Sequence, residues 1–202
     1  NADILVGTQM VAKGHDFANV TLVGIIDADM SLHFSDFRAV ERTFQLITQV
    51  AGRAGRERKA GRVILQTYTP NHYVYRYATA YDYESFYAKE INLLQATGFP
   101  PFTDIIRVLV SCENEQAALD ATKRAMDEIR MISAQNPDAF IYLNAMRAPK
   151  KRIQTKHRMQ ILMRIKPDAD DVRAAVYKAA DNAAAEYPQA TCFTEINPND
   201  LS

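Results

Sequence analysis

Hydrophobic positions follow one rule in the first half of the chain and another in the second. Residues 3–6 and 21–27 are short apolar runs rich in Ile, Leu and Val, with no alternation. Strands covered on both faces of a parallel sheet read this way, because neither face meets water. Downstream, Phe37, Val40, Phe44 and Ile47 recur at spacings of three and four. That puts one apolar stripe on a helix, and Ser35 or Asp36 is placed to cap its start. Residues 61–67 form another apolar run and predict the next strand. Residues 71–96 are helical in period and dense in rings: Tyr73, Tyr75, Tyr77, Tyr81, Tyr83, Phe86 and Tyr87. With helical spacing and few basic neighbours, these rings are expected to pack between two domains rather than to stack nucleic-acid bases. Gly98-Phe99-Pro100-Pro101 then breaks the chain.

After that break the elements come in a definite order. Residues 105–112 predict a strand. Residues 115–134 predict a helix with Leu119, Thr122, Met126, Ile129 and Ser133 down one side, and 140–146 a strand. Residues 158–166 alternate strictly, with Met159, Ile161, Met163 and Ile165 against Arg158, Gln160, Leu162, Arg164 and Lys166. Residues 170–186 predict a helix facing inward through Val172, Val176, Ala179 and Ala183, and 191–196 a last strand. The order βαββαβ implies a ferredoxin-like antiparallel sheet with two helices on one face. The expected organisation is an α/β region over 1–80, a helical linker over 81–103 and an α+β domain over 104–202.

Two clusters carry chemistry. In Gln49-Val50-Ala51-Gly52-Arg53-Ala54-Gly55-Arg56, two arginines sit three residues apart among small residues. Two guanidiniums one helical turn apart can converge on one polyanion, and the small neighbours let a phosphate approach the backbone. This is the chemistry of an arginine finger, for which the planar fork of Arg suits phosphate oxygens better than Lys. The second cluster is Arg147, Lys150, Lys151, Arg152, Lys156 and Arg158, six basic residues in twelve with no acid among them and His157 alongside. Such a patch attracts a phosphate backbone in a salt-dependent way. A solvated hairpin, or a surface packed on acidic domains, is the alternative.

The run Gly7-Thr8-Gln9-Met10-Val11-Ala12-Lys13-Gly14-His15-Asp16-Phe17 precedes the arginines. Together with Asp27-Ala28-Asp29, Asp36-Phe37-Arg38, Glu41-Arg42 and residues 49–56, it closely resembles the second motor lobe of the PriA family. These are bacterial primosomal replication-restart helicases of superfamily two. Residues 7–17 look like the family's motif V and 49–56 like its motif VI. The resemblance is dense over about residues 3–104 and continues past Gly98-Phe99-Pro100-Pro101-Phe102. It implies that the first region is the C-terminal part of a RecA-like helicase lobe. It also implies that Gly7, Thr8 and Lys13 contact DNA and that Gly14, Asp16, Gln49, Arg53 and Arg56 contact the nucleotide. Gln49, Arg53 and Arg56 are then the catalytic set, with Arg56 as the finger on the γ-phosphate. Lys150, Lys151 and Arg152 are the DNA-contact candidates of the basic segment. Here Thr155-Lys156 fills a turn where the family pattern has glycine.

What is missing matters as much. The chain has no Gly-x-x-x-x-Gly-Lys-Ser/Thr loop to cradle nucleotide phosphates and no Asp-Glu-x-His element for magnesium. It is therefore expected to be the C-terminal piece of a larger enzyme and not to hydrolyse ATP alone. ATP and magnesium are expected only in the full-length enzyme, and zinc only in an upstream module. Lys+Arg and Asp+Glu are equal at 24 each, so net charge selects no partner. Cys112 and Cys192 stand far apart in apolar runs and give no metal-ligand spacing, so no metal site is expected. No apolar run approaches the roughly 18 residues of a membrane span. By resemblance the partners are forked or single-stranded DNA, single-stranded-DNA-binding protein and primosome proteins. The location is cytoplasmic and nucleoid-associated, with no membrane partner. Two other readings share the motifs. One is another superfamily-two translocase of the RecG type, which upstream zinc-binding cysteines would exclude. The other is a non-enzymatic nucleic-acid-binding module, which an upstream phosphate loop would exclude.

Overall fold

The computed structural model describes residues 3–8, 20–34, 36–52, 61–199 and 201. It divides into two compact units, 1–92 and 93–202.

The first unit contains a two-stranded parallel sheet, β1 (Leu22–Ile25) and β2 (Arg62–Leu65), in register from Leu22 opposite Arg62 to Ile25 opposite Leu65. A short 3-10 helix over Ala28–His33 follows β1. Helix α1 (Ala39–Ala51) precedes β2, and α2 (Tyr73–Ala80) and α3 (Tyr83–Thr97), whose last residues from Leu93 belong to the second unit, follow it. Phe44 and Ile47 of α1 are buried with Val74, Tyr75, Ala78 and Phe86. Phe44 stacks on Phe86 with centroids 4.2 Å apart. The aromatic segment thus packs inside this unit. Tyr73 donates its hydroxyl to buried Glu90 at 2.5 Å, whereas Tyr81, Tyr83 and Tyr87 stay exposed. The segment forms two helices. Tyr81 adopts φ 54, in the left-handed region, and ends α2.

Two further expectations for this unit are corrected. Residues 3–6 are not a strand: Ile4, Leu5 and Val6 are exposed, and no described strand pairs with them. An apolar β-branched run becomes a strand only when a neighbour accepts its backbone hydrogen bonds. Asp36 does not cap α1 either. The helix begins after Arg38 with no side-chain cap, because the Asp36 carboxylate is engaged by the Arg38 amide at 3.0 Å and the Arg42 guanidinium at 2.9 Å. Ser35, the other cap candidate, lies outside the described residues.

The second unit contains β3 (Asp104–Cys112), α4 (Glu115–Gln135), β4 (Phe140–Ile153), β5 (Lys156–Ile165), α5 (Asp170–Glu186) and β6 (Thr191–Ile196). The sheet order is β4-β5-β3-β6 and every pairing is antiparallel. With two crossover helices this is the ferredoxin-like arrangement that the sequence order predicts. Ile106, Val108 and Val110 of β3 and Ile161, Met163 and Ile165 of β5 form one core with both helices. The inward face of α4 differs from the expected one. Ala118, Ala121 and Ala125 are fully buried with Thr122, Met126 and Ile129, whereas Leu119 and Ser133 are only half-buried. The buried face of α5 also includes Ala179, Ala180 and Ala183. Alanines keep side-chain bulk off these faces and let helices pack closely over a sheet. Opposite the helices, Arg164 donates to the carbonyls of Thr97 and Gly98 at 2.7 and 3.0 Å and lies over the Phe99 ring. Gly98 sits at φ 61, where a side chain would be strained.

The basic segment is not a loop between strands. β4 runs on to Ile153 and β5 starts at Lys156, so Lys150, Lys151 and Arg152 lie in the edge strand β4, opposite a stretch of β5 whose His157 also pairs with Cys112 of β3. The ladder pairs Arg147 with Met159 and then Arg152 with His157, so four residues of β4 face one of β5. Pro149 lies in this bulge, where its missing N–H would otherwise break a ladder bond. Arg158 spans the bulge by donating to the Lys150 carbonyl at 3.3 Å.

Candidate nucleotide loops and nucleic-acid interface

The carboxyl ends of β1 and β2 are joined by one carboxylate. Asp29, in the 3-10 helix after β1, is 3% exposed. It accepts from the Thr67 hydroxyl at 2.8 Å, the Tyr68 amide at 2.6 Å, the Tyr75 hydroxyl at 2.9 Å and the Thr69 hydroxyl. All three residues from 67 to 69 follow β2 directly. The Thr69 hydroxyl above all, then the Tyr68 amide and the Thr67 and Tyr75 hydroxyls, hold this carboxyl well below the usual carboxylate range. Burial pushes neighbouring His72 down and the Tyr75 phenol up. Four donors from two segments fix the loops at the strand ends, which is where open parallel sheets place their ligands.

This arrangement sets an acid sensitivity. A carboxyl whose pKa is depressed by folding adds stability above its unfolded value, near 3.8, and loses it as pH falls through the folded value. Asp29→Asn is therefore expected to lower the thermal midpoint of the first unit at pH 7. The gap between variant and parent should narrow as pH falls below about 4. Circular dichroism melts across that range check this; a gap independent of pH would mean that the charge of Asp29 contributes nothing.

The expected motif residues are unevenly placed. Gln49 is exposed on the last turn of α1, in a shallow depression with Gln45, Thr48 and Tyr81. Gly7 and Thr8 are exposed and belong to no helix or strand. Lys13, Gly14, Asp16, Arg53 and Arg56 lie outside the described residues. The geometry therefore brings Gln49 to the end of the helix that leads into the two arginines and goes no further.

The basic ribbon is described throughout. Lys150, Lys151 and Arg152 are exposed. Two acids, Glu113 in the turn after β3 and Glu115 at the start of α4, meet the ribbon. Glu115 pairs with Arg147 at 2.8 Å and lies 3.8 Å from His157 Nδ1, and Glu113 accepts from the Thr155 hydroxyl at 3.0 Å. A cleft of about 220 Å³ opens between these elements. Its lining includes Arg147, Lys151, Arg152 and Arg158. Among the described residues, no group of His, Cys, Asp and Glu could hold a metal, and no helix is long and apolar enough to cross a membrane.

Comparison with known proteins decides the family. A family model described as primosomal protein N C-terminal domain matches residues 95–199, more than half of the chain. The chain belongs to the PriA family. Replication restart protein PriA of Bacillus subtilis (strain 168) is 41% identical over 199 residues, covering 98% of this chain and 24% of that protein. The protein of the same name from Treponema pallidum (strain Nichols) is 43% identical over 162 residues, 80% of this chain and 24% of the relative. That of Haemophilus influenzae is 33% identical over 201 residues, 100% of this chain and 27% of the relative. The chain thus spans about a quarter of the length of these curated relatives.

In this PriA-family chain the ferredoxin-like unit falls almost entirely within the matched residues. Sequence reasoning missed two of its polar contacts. Glu113 and Glu115 lie more than thirty residues from Thr155 and Arg147, the ribbon residues they meet, and only the sheet order brings them together. Asp29 carried a partial signal: an acid just after one strand and Thr67-Tyr68-Thr69 just after the next.

Proposed function

We propose that this chain is the C-terminal portion of an ATP-dependent DNA helicase that acts in restart of stalled replication forks and in primosome assembly. The observation that carries this reading is the 41% identity to the Bacillus subtilis Replication restart protein PriA along 98% of the chain, through both units. On this reading the parallel strands β1 and β2 belong to a RecA-like lobe. Gly7, Thr8 and Lys13 meet DNA, while Gly14, Asp16, Gln49, Arg53 and Arg56 face ATP bound largely by the rest of the protein. ATP, with magnesium, supplies the phosphoryl bond whose cleavage drives translocation. The chain's own contribution is to hold charge-stabilising arginines at the end of α1, with the Asp29 network keeping the adjoining strand ends fixed. The ribbon of β4 and β5 grips a DNA backbone. Forked or single-stranded DNA, single-stranded-DNA-binding protein and primosome proteins are the partners this assigns.

The test compares two proteins. The purified chain is expected to show no ATP turnover with or without DNA, since it carries neither a phosphate-cradling loop nor a magnesium-binding acidic motif. The full-length protein is expected to show turnover stimulated by single-stranded or forked DNA. Robust turnover by the chain alone would contradict the division of labour. A full-length protein without DNA-stimulated turnover would remove the helicase reading.

A further inference from the structure

Resting on the DNA reading of the ribbon, we propose that the cleft between the start of α4 and the β4–β5 ribbon is a seat for one phosphate group, and that Glu115 fills it in the free protein as a competing carboxylate. Glu115 is the first residue of α4, whose N-cap Asn114 accepts from the Ala117 amide at 3.0 Å. Its two oxygens meet Arg147 at 2.8 Å and His157 at 3.8 Å. The cleft around it, about 220 Å³, is also lined by Lys151, Arg152 and Arg158. One carboxylate therefore faces four permanent cations, and the seat keeps an excess of positive charge while Glu115 is in it.

The exchange is chemically balanced. A guanidinium can donate two parallel hydrogen bonds to either a carboxylate or a phosphate, so the two groups compete for the same face of Arg147. The Arg147–Glu115 pair is exposed, at 57% and 44% of the side chains. Exposed pairs of this kind are worth little, and an incoming phosphate displaces the carboxylate at small cost. Several things remain for the phosphate once Glu115 swings out: Arg147, the other cations and the amino-terminal end of a 21-residue helix. The consequence is a threshold. Nucleic acid that merely passes near the ribbon meets a partly neutralised surface, whereas a strand placing a phosphate in the cleft gains Arg147 as a further contact. Glu113 provides a natural comparison, since it has the same charge two residues away but accepts from Thr155 and does not line the cleft.

The experiment measures affinity of the full chain for a fluorescent single-stranded oligonucleotide across a salt series. It also measures inorganic pyrophosphate binding, read by NMR at the Arg147 side-chain Nε–H. Glu115→Gln is expected to tighten oligonucleotide binding about threefold at low salt. It should steepen the slope of log affinity against log salt by about 0.7 for the gained single-strand contact. Pyrophosphate should shift the Arg147 signal at lower concentration in Glu115→Gln than in the parent. The oligonucleotide gain should vanish in an Arg147→Ala background, and Glu113→Gln should give less of either. Equal gains from Glu113→Gln and Glu115→Gln, or gains that persist without Arg147, would overturn the seat. If reversing Lys150, Lys151 and Arg152 leaves oligonucleotide binding unchanged while pyrophosphate still responds to Glu115→Gln, the DNA reading fails and the seat stands. If that reversal weakens oligonucleotide binding but Glu115→Gln changes neither ligand, the seat fails and the DNA reading stands.

Discussion

Arg56→Ala in the full-length protein is expected to remove most ATP turnover, by about 10³–10⁵-fold, with DNA affinity nearly intact. The expectation follows from the chemistry of phosphoryl transfer. Little covalent work is left to the protein, so stabilising charge on the transferring group is most of the catalysis, and a guanidinium supplies that charge with two donors in a fixed plane. Lys at this position would keep the charge but lose the fork, so Arg56→Lys should recover only a small part of the rate. Arg53→Ala should be similar to Arg56→Ala or somewhat milder. The measurement is steady-state turnover at saturating DNA, with DNA affinity determined separately. A loss below about tenfold for Arg56→Ala would count against the finger assignment, because a merely binding arginine leaves the barrier nearly unchanged.

Periodicity carried the second unit well because each element there has a single dominant environment. The alternation of Met159, Ile161, Met163 and Ile165 has only one consistent use, a strand with one face on a core, and Ile161, Met163 and Ile165 are fully buried. The crossover helices and strand order then follow from the sequence of elements. Within those helices the face was misjudged where alanine does the packing. Leu119 outranks Ala118 and Ala121 in hydrophobicity, but close approach of a helix to a sheet selects small side chains, and a hydrophobic stripe alone does not register that. Residues 3–6 misled for a related reason. Ile4, Leu5 and Val6 have strand composition, yet composition does not supply a hydrogen-bonding neighbour. Candidate site residues were legible only as motifs. Glycine-flanked arginines are a pattern that a local window can register. Contacts between distant segments, such as Asp29 with Thr67 and Thr69 or Glu115 with Arg147, depend on how strands are ordered in space. No window along the chain contains that information. The basic ribbon lies between these cases. Its charge was plain in the sequence, but the strand pairing that presents it was hidden because charged residues and a proline interrupt the apolar alternation.

Reversing Lys150, Lys151 and Arg152 to glutamate is the second large effect expected, here on nucleic-acid affinity. These side chains lie in and beside the bulge of β4 and are exposed. Three lost phosphate contacts should flatten the slope of log affinity against log salt by about three units and weaken binding by about 10²-fold at low salt. The loss should be uniform across sequences, because backbone contacts position a strand without reading bases. The fold should survive the change. The core of this unit is built from Ile106, Val108, Ile161 and Met163, none of which touches the ribbon end in sequence, and like charges added to a solvated strand cost little in stability. Salt titration on forked DNA, with a circular-dichroism check of folding, separates the outcomes. A folded variant with an unchanged slope would leave the ribbon as a surface for packing on other parts of the protein, and its positive charge would then call for an acidic partner there.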